Sequence, residues 1–364
     1  YFEYIFYFFV TYKFVAWIQT MYCFLFHFTI LKREIIFKNI LFKINMKFDD
    51  NIYNALNSYK PKTIKTFEQN ITRIIKLFHT SGPIVLTKED CIFYLLNNEN
   101  TKETIIANIQ NKNSLAVCTY ACYVILNKLN LDHSVYFELY KTYSAESMDE
   151  RTYADASNKE KNNFLTMDDV RQRQFELEKK VMNMYEDTAN SYTFLNLYQQ
   201  YLLCSLYAFY PALRGQDYYE TQLIQSDENV TTESNTYNLA TGTLIIKHHK
   251  TERKIGDKVL QLPDILQSII LKWSQINPTN FLIINTKTKT KITQQAFTNL
   301  LNRIFEPKKV SSSMLRKIYV SDFLMHNPSA EERKRIAKIM GHGIASQEFV
   351  YSRFKDLYVN NEEM

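Results

Sequence analysis

Five residues stand in an order that could do chemistry together. Arg214 follows an apolar run in YAFYPALRGQDYYE, with Asp217 three residues on. Lys250 lies at the turn end of a predicted strand in HHKTERKIG, Arg316 in SSSMLRKIY, His342 in IMGHG, and Tyr351 in FVYSRF, nine residues after that histidine. A guanidinium offers paired N–H donors that match two oxygens of a phosphate. A phenol hydroxyl can attack an acid derivative and hold it as a covalent ester, and lysine and histidine can move the protons. His248 and His249 adjoin Lys250 but have no acidic or cysteine partner at metal-ligand spacing, so they read as strand residues or phosphate contacts.

Taken singly, each residue has an ordinary reading. Arg214 alone is a surface or capping arginine paired locally with Asp217. Lys250 is one of 44 basic residues, with Lys247 and Lys258 as nearby alternatives and Lys254 as its first substitute. Arg316 would be a charge on the solvated face of a helix opened by Ser311 to Ser313, and Tyr351 is one of 26 tyrosines. For His342, the segment SAEERKRIAKIMG predicts a helix opened by a Ser329–Glu332 capping box and closed by Gly341, so the imidazole could simply meet the last carbonyls.

The joint pattern is more specific. A-L-R-x-x-D, a lysine in a β-hairpin, x-x-L-R, then G-H followed nine residues later by Tyr resembles the tyrosine recombinase family over about residues 160–360. The L-I-I-K-H-H-K-T hairpin and the R-K-I-Y stretch are most similar to integrases of virophages and other large eukaryotic DNA virus elements. The resemblance implies a site-specific recombinase that cleaves and rejoins double-stranded DNA through a 3′-phosphotyrosine and a Holliday junction, as a homotetramer, with neither cofactor nor metal. It makes Tyr351 the nucleophile, Arg214 and Arg316 the stabilisers of the phosphate charge, Lys250 the general acid, and His342 a partner of the phosphate or the tyrosine oxygen. One position departs from the family. Where a histidine is common, three before Arg316, this chain has Ser313, which can donate a hydrogen bond but cannot act as a base near neutral pH. Type IB topoisomerases and telomere resolvases share the chemistry, and a catalytically weak or inactive DNA-binding protein of the same fold is the rival from another class.

These residues need elements to hold them. A chain of 364 residues is long enough for two domains, and its net charge of +6 is compatible with a polyanionic partner without proving one. Six Gly and seven Pro beside 26 Tyr and 25 Phe point to AT-rich coding sequence, which inflates aromatics for no functional reason. Five cysteines (Cys23, Cys91, Cys118, Cys122, Cys204) without a C-x-x-C pair indicate neither disulfides nor zinc, hence an intracellular protein, in the host nucleus or a viral factory if the source is a eukaryotic virus or mobile element. Cys118 and Cys122 read as buried apolar packing.

Residues 1–45 are apolar, and Phe14 to Leu31 carries no charge. The preferred reading is upstream sequence translated in frame with Met46 as the true start; a membrane anchor and a buried helix are the alternatives. A helical core-binding domain is predicted over 46–144, with Ile64, Phe67, Ile71, Ile74 and Ile75 at helical spacing, Thr63 as N-cap, and a long helical stretch from Thr101 to Leu129 broken near Asn113. A polar linker is expected over 145–161 and a catalytic domain over 162–364, with a β-hairpin in TGTLIIKHHKTERKIGDKVLQLP. The expected fold is mostly α with a small antiparallel β-sheet, arranged as a two-domain DNA clamp.

Overall fold

The computed structural model describes residues 47–78, 85–96, 101–153, 156–184, 191–225, 234–348 and 354, with the backbone alone at 151–153, 253 and 254. The apolar segment 1–45 and Tyr351 fall outside these residues. Among the described residues no helix is long and apolar enough to cross a membrane. The chain divides into two compact units, Tyr1–Glu150 and Arg151–Met364.

In the first unit, β1 (Lys47–Phe48) pairs in parallel with β2 (Val85–Leu86), and the rest is helical: α1 (Asp50–Ala55), α2 (Pro61–Phe78), α3 (Lys88–Cys91, continuing as a π turn over Ile92–Leu96), α4 (Thr101–Asn108), α5 (Lys112–Lys128) and α6 (Ser134–Tyr153). Helix α2 buries the predicted stripe of Ile64, Phe67, Ile71, Ile74 and Ile75. It begins at Pro61 rather than after Thr63, because proline is tolerated in the first turn, where its missing N–H is not needed. The break expected near Asn113 comes two residues earlier, where the Asn111 side chain accepts from Ser114 N–H and caps α5. Cys91, Cys118 and Cys122 are buried as free thiols.

The division between the units falls inside the stretch 145–161 expected to be a linker, but much of that stretch is helical. Helix α6 runs on to Tyr153 with Ser147 buried, and a Ser157–Glu160 capping box starts α7 (Asn158–Asn162). Good helix formers and a cap suffice for a turn or two even where apolar periodicity is absent.

The second unit is built around α9 (Tyr192–Ala208), which buries Phe194, Tyr198, Leu202, Leu203, Leu206 and Tyr207 and keeps a short polar edge at Thr193, Asn196 and Gln200. Helix α8 (Met167–Met184) packs along it. After α10 (Gly215–Tyr219) comes a four-stranded sheet in the order β3 (Thr221–Ile224), β4 (Asn235–Asn238), β5 (Thr243–Ile246), β6 (Lys258–Gln261). The expected hairpin is β5–β6, antiparallel, with a short α11 (Glu252–Ile255) in its loop. The expectation of a purely antiparallel sheet fails at β3 and β4, which pair in parallel from Thr221 opposite Asn235 to Ile224 opposite Asn238. Helix α12 (Asp264–Ile276), a small β7 (Ile284–Asn285) and β8 (Thr290–Lys291) ribbon, α13 (Gln294–Ile304), α14 (Ser312–Met325), α15 (Ala330–Met340) and α16 (Ile344–Ser346) follow.

Candidate active site

The site gathers at the C-terminal end of α15. The helix opens with the predicted Ser329–Glu332 capping box and closes at Gly341 in the left-handed conformation, φ 69° and ψ 48°. His342 N–H donates to Ala337 O at 3.1 Å and Gly341 N–H to Lys338 O at 3.2 Å, the two crossing bonds of a Schellman motif. The carbonyls of Met340 and Gly341 are then left for side chains, and two arginines from other elements take them. Arg316, on α14 and 2% exposed, donates from Nη1 to Ala212 O at 2.8 Å and from Nη2 to Met340 O at 3.1 Å. Arg214, at the start of α10, donates from Nη2 to Gly341 O at 3.0 Å and from Nη1 to Met340 O at 3.5 Å. The partial negative charge of the helix end favours both cations.

A third cation joins them from the sheet. Strand β6 alternates, with Lys258 and Leu260 inward and Val259 and Gln261 outward, so the Lys258 ammonium is carried into the interior. Its Nζ lies 3.6 Å from Oδ2 of Asp217, a carboxylate with no exposure that also accepts from Arg214 N–H at 3.3 Å. A Cβ on Gly341 would stand 2.8 Å from Lys258 Nζ and 3.1 Å from Arg214 Nη1, and the positive φ of the turn favours glycine there. Burial lowers the Lys258 pKa; Asp217 opposes the fall, and Arg214 and Arg316 add to it.

His342 sits just past this turn. Its Nδ1 is 3.3 Å from Gly343 O and its Nε2 is turned into the interior. Burial first, then the Arg316 charge, lowers its pKa to about 4, with Arg214 and Lys258 acting the same way, so the imidazole is neutral at pH 7. If Nδ1–H donates to Gly343 O, Nε2 carries the lone pair.

No family model matches the chain, and no curated protein matches it. Among solved structures it is similar to the crystal structure of XerA recombinase, at 14% identity and a TM-score of 0.37, over 85% of this chain and 95% of that one.

Of the residues expected from sequence, the structure brings Arg214, Arg316 and His342 together. Lys250 is exposed in the turn that precedes α11 and makes no hydrogen bond or ion pair among the described residues; Lys258 from the same hairpin occupies the cluster. The Lys254 side chain lies outside the described residues. Ser313 is exposed in the first turn of α14, and the N-cap of that helix is Ser311, which accepts from Met314 N–H at 3.3 Å. His249 is buried, with Nε2 2.9 Å from Gly256 O and Nδ1 3.1 Å from Thr251 Oγ1, so it organises the hairpin loop and is not placed to meet a phosphate. Thr251 Oγ1 in turn reaches Gly341 O at 3.5 Å. The strand period could have found Lys258: with Leu260 and Leu262 facing the core, Lys258 must share their side.

Proposed function

We propose that this chain is a tyrosine-type DNA recombinase, with Tyr351 as nucleophile and the cluster at the end of α15 as the seat of the scissile phosphate. The observation that carries the reading is the convergence of Arg214, Arg316, Lys258 and neutral His342 on one glycine turn, with Asp217 as their buried carboxylate among the described residues. Three buried or half-buried cations against one carboxylate make a site that favours a further anion.

The step balances without metal or nucleotide. The Tyr351 oxygen attacks phosphorus and forms a 3′-phosphotyrosine as the bond to the 5′-oxygen breaks. His342 Nε2 takes the phenol proton, and Lys258, whose lowered pKa makes it the better acid, protonates the departing 5′-oxygen. Arg214 and Arg316 hold the charge that grows on the non-bridging oxygens. Lys250, at the exposed tip, contacts the DNA backbone. The helical first unit acts as a core-binding domain that closes a clamp on duplex DNA in a homotetramer, and an origin in a virus or mobile element fits the hairpin sequence. Ser313 keeps a second reading in view, a DNA-binding protein with weak turnover, because an exposed serine replaces the base common at that place.

The test is covalent trapping on a nicked DNA substrate. Tyr351→Phe should abolish the protein–DNA adduct and leave binding nearly intact. Lys258→Met should slow adduct formation far more than Lys250→Met. An adduct formed by the Phe variant would refute the nucleophile.

A further inference from the structure

The second unit contains a small polar assembly that the chemistry above does not use. Helix α7 has no buried residue, yet it is tied down at several points. Glu160 Oε2 accepts from Ser157 N–H at 3.0 Å, and its Oε1 pairs with Lys317 Nζ. Asn162 O accepts from Lys308 Nζ at 2.8 Å, and Asn163 Oδ1 from Lys309 N–H at 2.6 Å. Two residues beyond α7, the Phe164 ring meets the Phe354 ring edge to face, with centroids 5.1 Å apart. Phe354 has no exposure, and the Lys317 ammonium stands 5.9 Å from its ring centroid.

Two features make this more than surface decoration. Lys317 directly follows Arg316 on α14, so one helical turn sends a guanidinium to the α15 turn and an ammonium to α7. Phe354 is three residues after Tyr351, and three residues of extended chain reach about 10 Å at most. Fixing Phe354 therefore confines the range of the tyrosine. Burial pushes the Glu160 carboxyl up, but hydrogen bonds from Lys317 and Ser157 outweigh it and bring the pKa down to about 2, so this anchor stays ionised at any working pH.

We propose that the Glu160–Lys317 pair and the Phe164–Phe354 contact form a clasp that holds the segment carrying Tyr351, making Phe164, Glu160 and Lys317 positioning residues for the nucleophile. The idea rests on the recombinase reading for its catalytic meaning.

The experiment uses the full chain and separates positioning from general damage. Phe164→Ala and Lys317→Met should slow adduct formation on nicked DNA by tenfold or more per folded molecule in single turnover, with DNA affinity little changed, and Phe164→Tyr should restore the rate. In a Tyr351→Phe background, hydrogen peroxide can serve as a diffusible nucleophile at the same phosphate. Cleavage by peroxide should not change when Phe164→Ala is added, because the arginine pocket is intact. An equal loss with peroxide, or an unchanged rate of adduct formation, overturns the proposal. Trypsin gives a reading independent of activity: cleavage after Arg353 and Lys355 should quicken in Phe164→Ala. If the wild type forms no adduct, the recombinase reading falls while trypsin still judges the clasp, and unchanged cleavage there overturns it.

Discussion

The two units bury different things. Among the described residues of the first, the buried polar groups are Thr72, Thr101, Thr119 and Ser147, all small and neutral, around a core of isoleucine, leucine and cysteine. Thr119 shows how such a group is satisfied, its hydroxyl donating to Leu115 O at 2.8 Å. The second unit buries Asp217, Lys258 and Arg316 outright. Buried charge destabilises a fold unless it is paired, and similar apolar side chains would do as well or better. Buried charge is therefore weak evidence for stability, and these three are the groups to which the recombinase reading gives a task.

The largest effect should follow from breaking that charge set. Asp217→Asn leaves Lys258 buried beside two guanidiniums without its counter-charge and should lower stability by about 3–5 kcal/mol in urea unfolding. Lys258→Met in the same chain should recover most of it. Leu126→Ala in the first unit should lower stability by about 2–5 kcal/mol by cavity formation, with the cleavage rate per folded molecule unchanged. If Asp217→Asn behaves like Leu126→Ala in both respects, the contrast between the units is one of packing alone.

Next comes the chemistry itself. Arg316→Lys should reduce single-turnover cleavage on the order of a hundredfold, about 2.7 kcal/mol of barrier, with DNA affinity within a few-fold, since an ammonium cannot make two parallel hydrogen bonds to a phosphate. A parallel loss of cleavage and affinity would mean that the arginine only positions DNA. A smaller effect concerns acid. The folded pKa of His342 is about 4, below the ordinary histidine value near 6.5, so the unfolded chain takes up this proton first. Stability should therefore fall as pH drops from about 6.5 to about 4, and His342→Asn should flatten that part of the profile in the absence of DNA. The smallest change is expected for Ser313→His. Ser311 and not Ser313 caps the helix, so the variant should fold normally, and adduct formation should rise a few-fold below pH 8 if a second base helps. No change at all would leave His342 as the sufficient base.

Much of the site was legible in the sequence, because Arg214, Arg316 and His342 belong to elements whose ends are written locally. The apolar run before Arg214, the serines before Arg316 and the cap at Gly341 each fix a position within a few residues. The lysine was not legible by the same means. Motif spacing favours Lys250, whereas the lysine that enters the cluster is set by the pleat of β6, whose alternation puts Lys258 on the side of Leu260. Asp217 was visible as a neighbour of Arg214, but its pairing with Lys258 joins residues 41 apart in sequence, beyond any local pattern. In the fold, helix positions followed from periodicity except at α7 and the end of α6, while the parallel β3–β4 pair depended on long-range pairing that strand propensity does not encode.

Gly341 has a further consequence, in the history of the gene. Glycine codons begin with two guanines, and a coding sequence drifting towards A and T tends to lose them, which fits a total of six in 364 residues. At position 341 the drift meets a left-handed backbone, and an added methyl group would also oblige the lysine ammonium 2.8 Å away to shift. Mutational bias thus becomes a filter. In a chain this poor in glycine, position 341 is a place where nucleotide composition yielded to backbone stereochemistry.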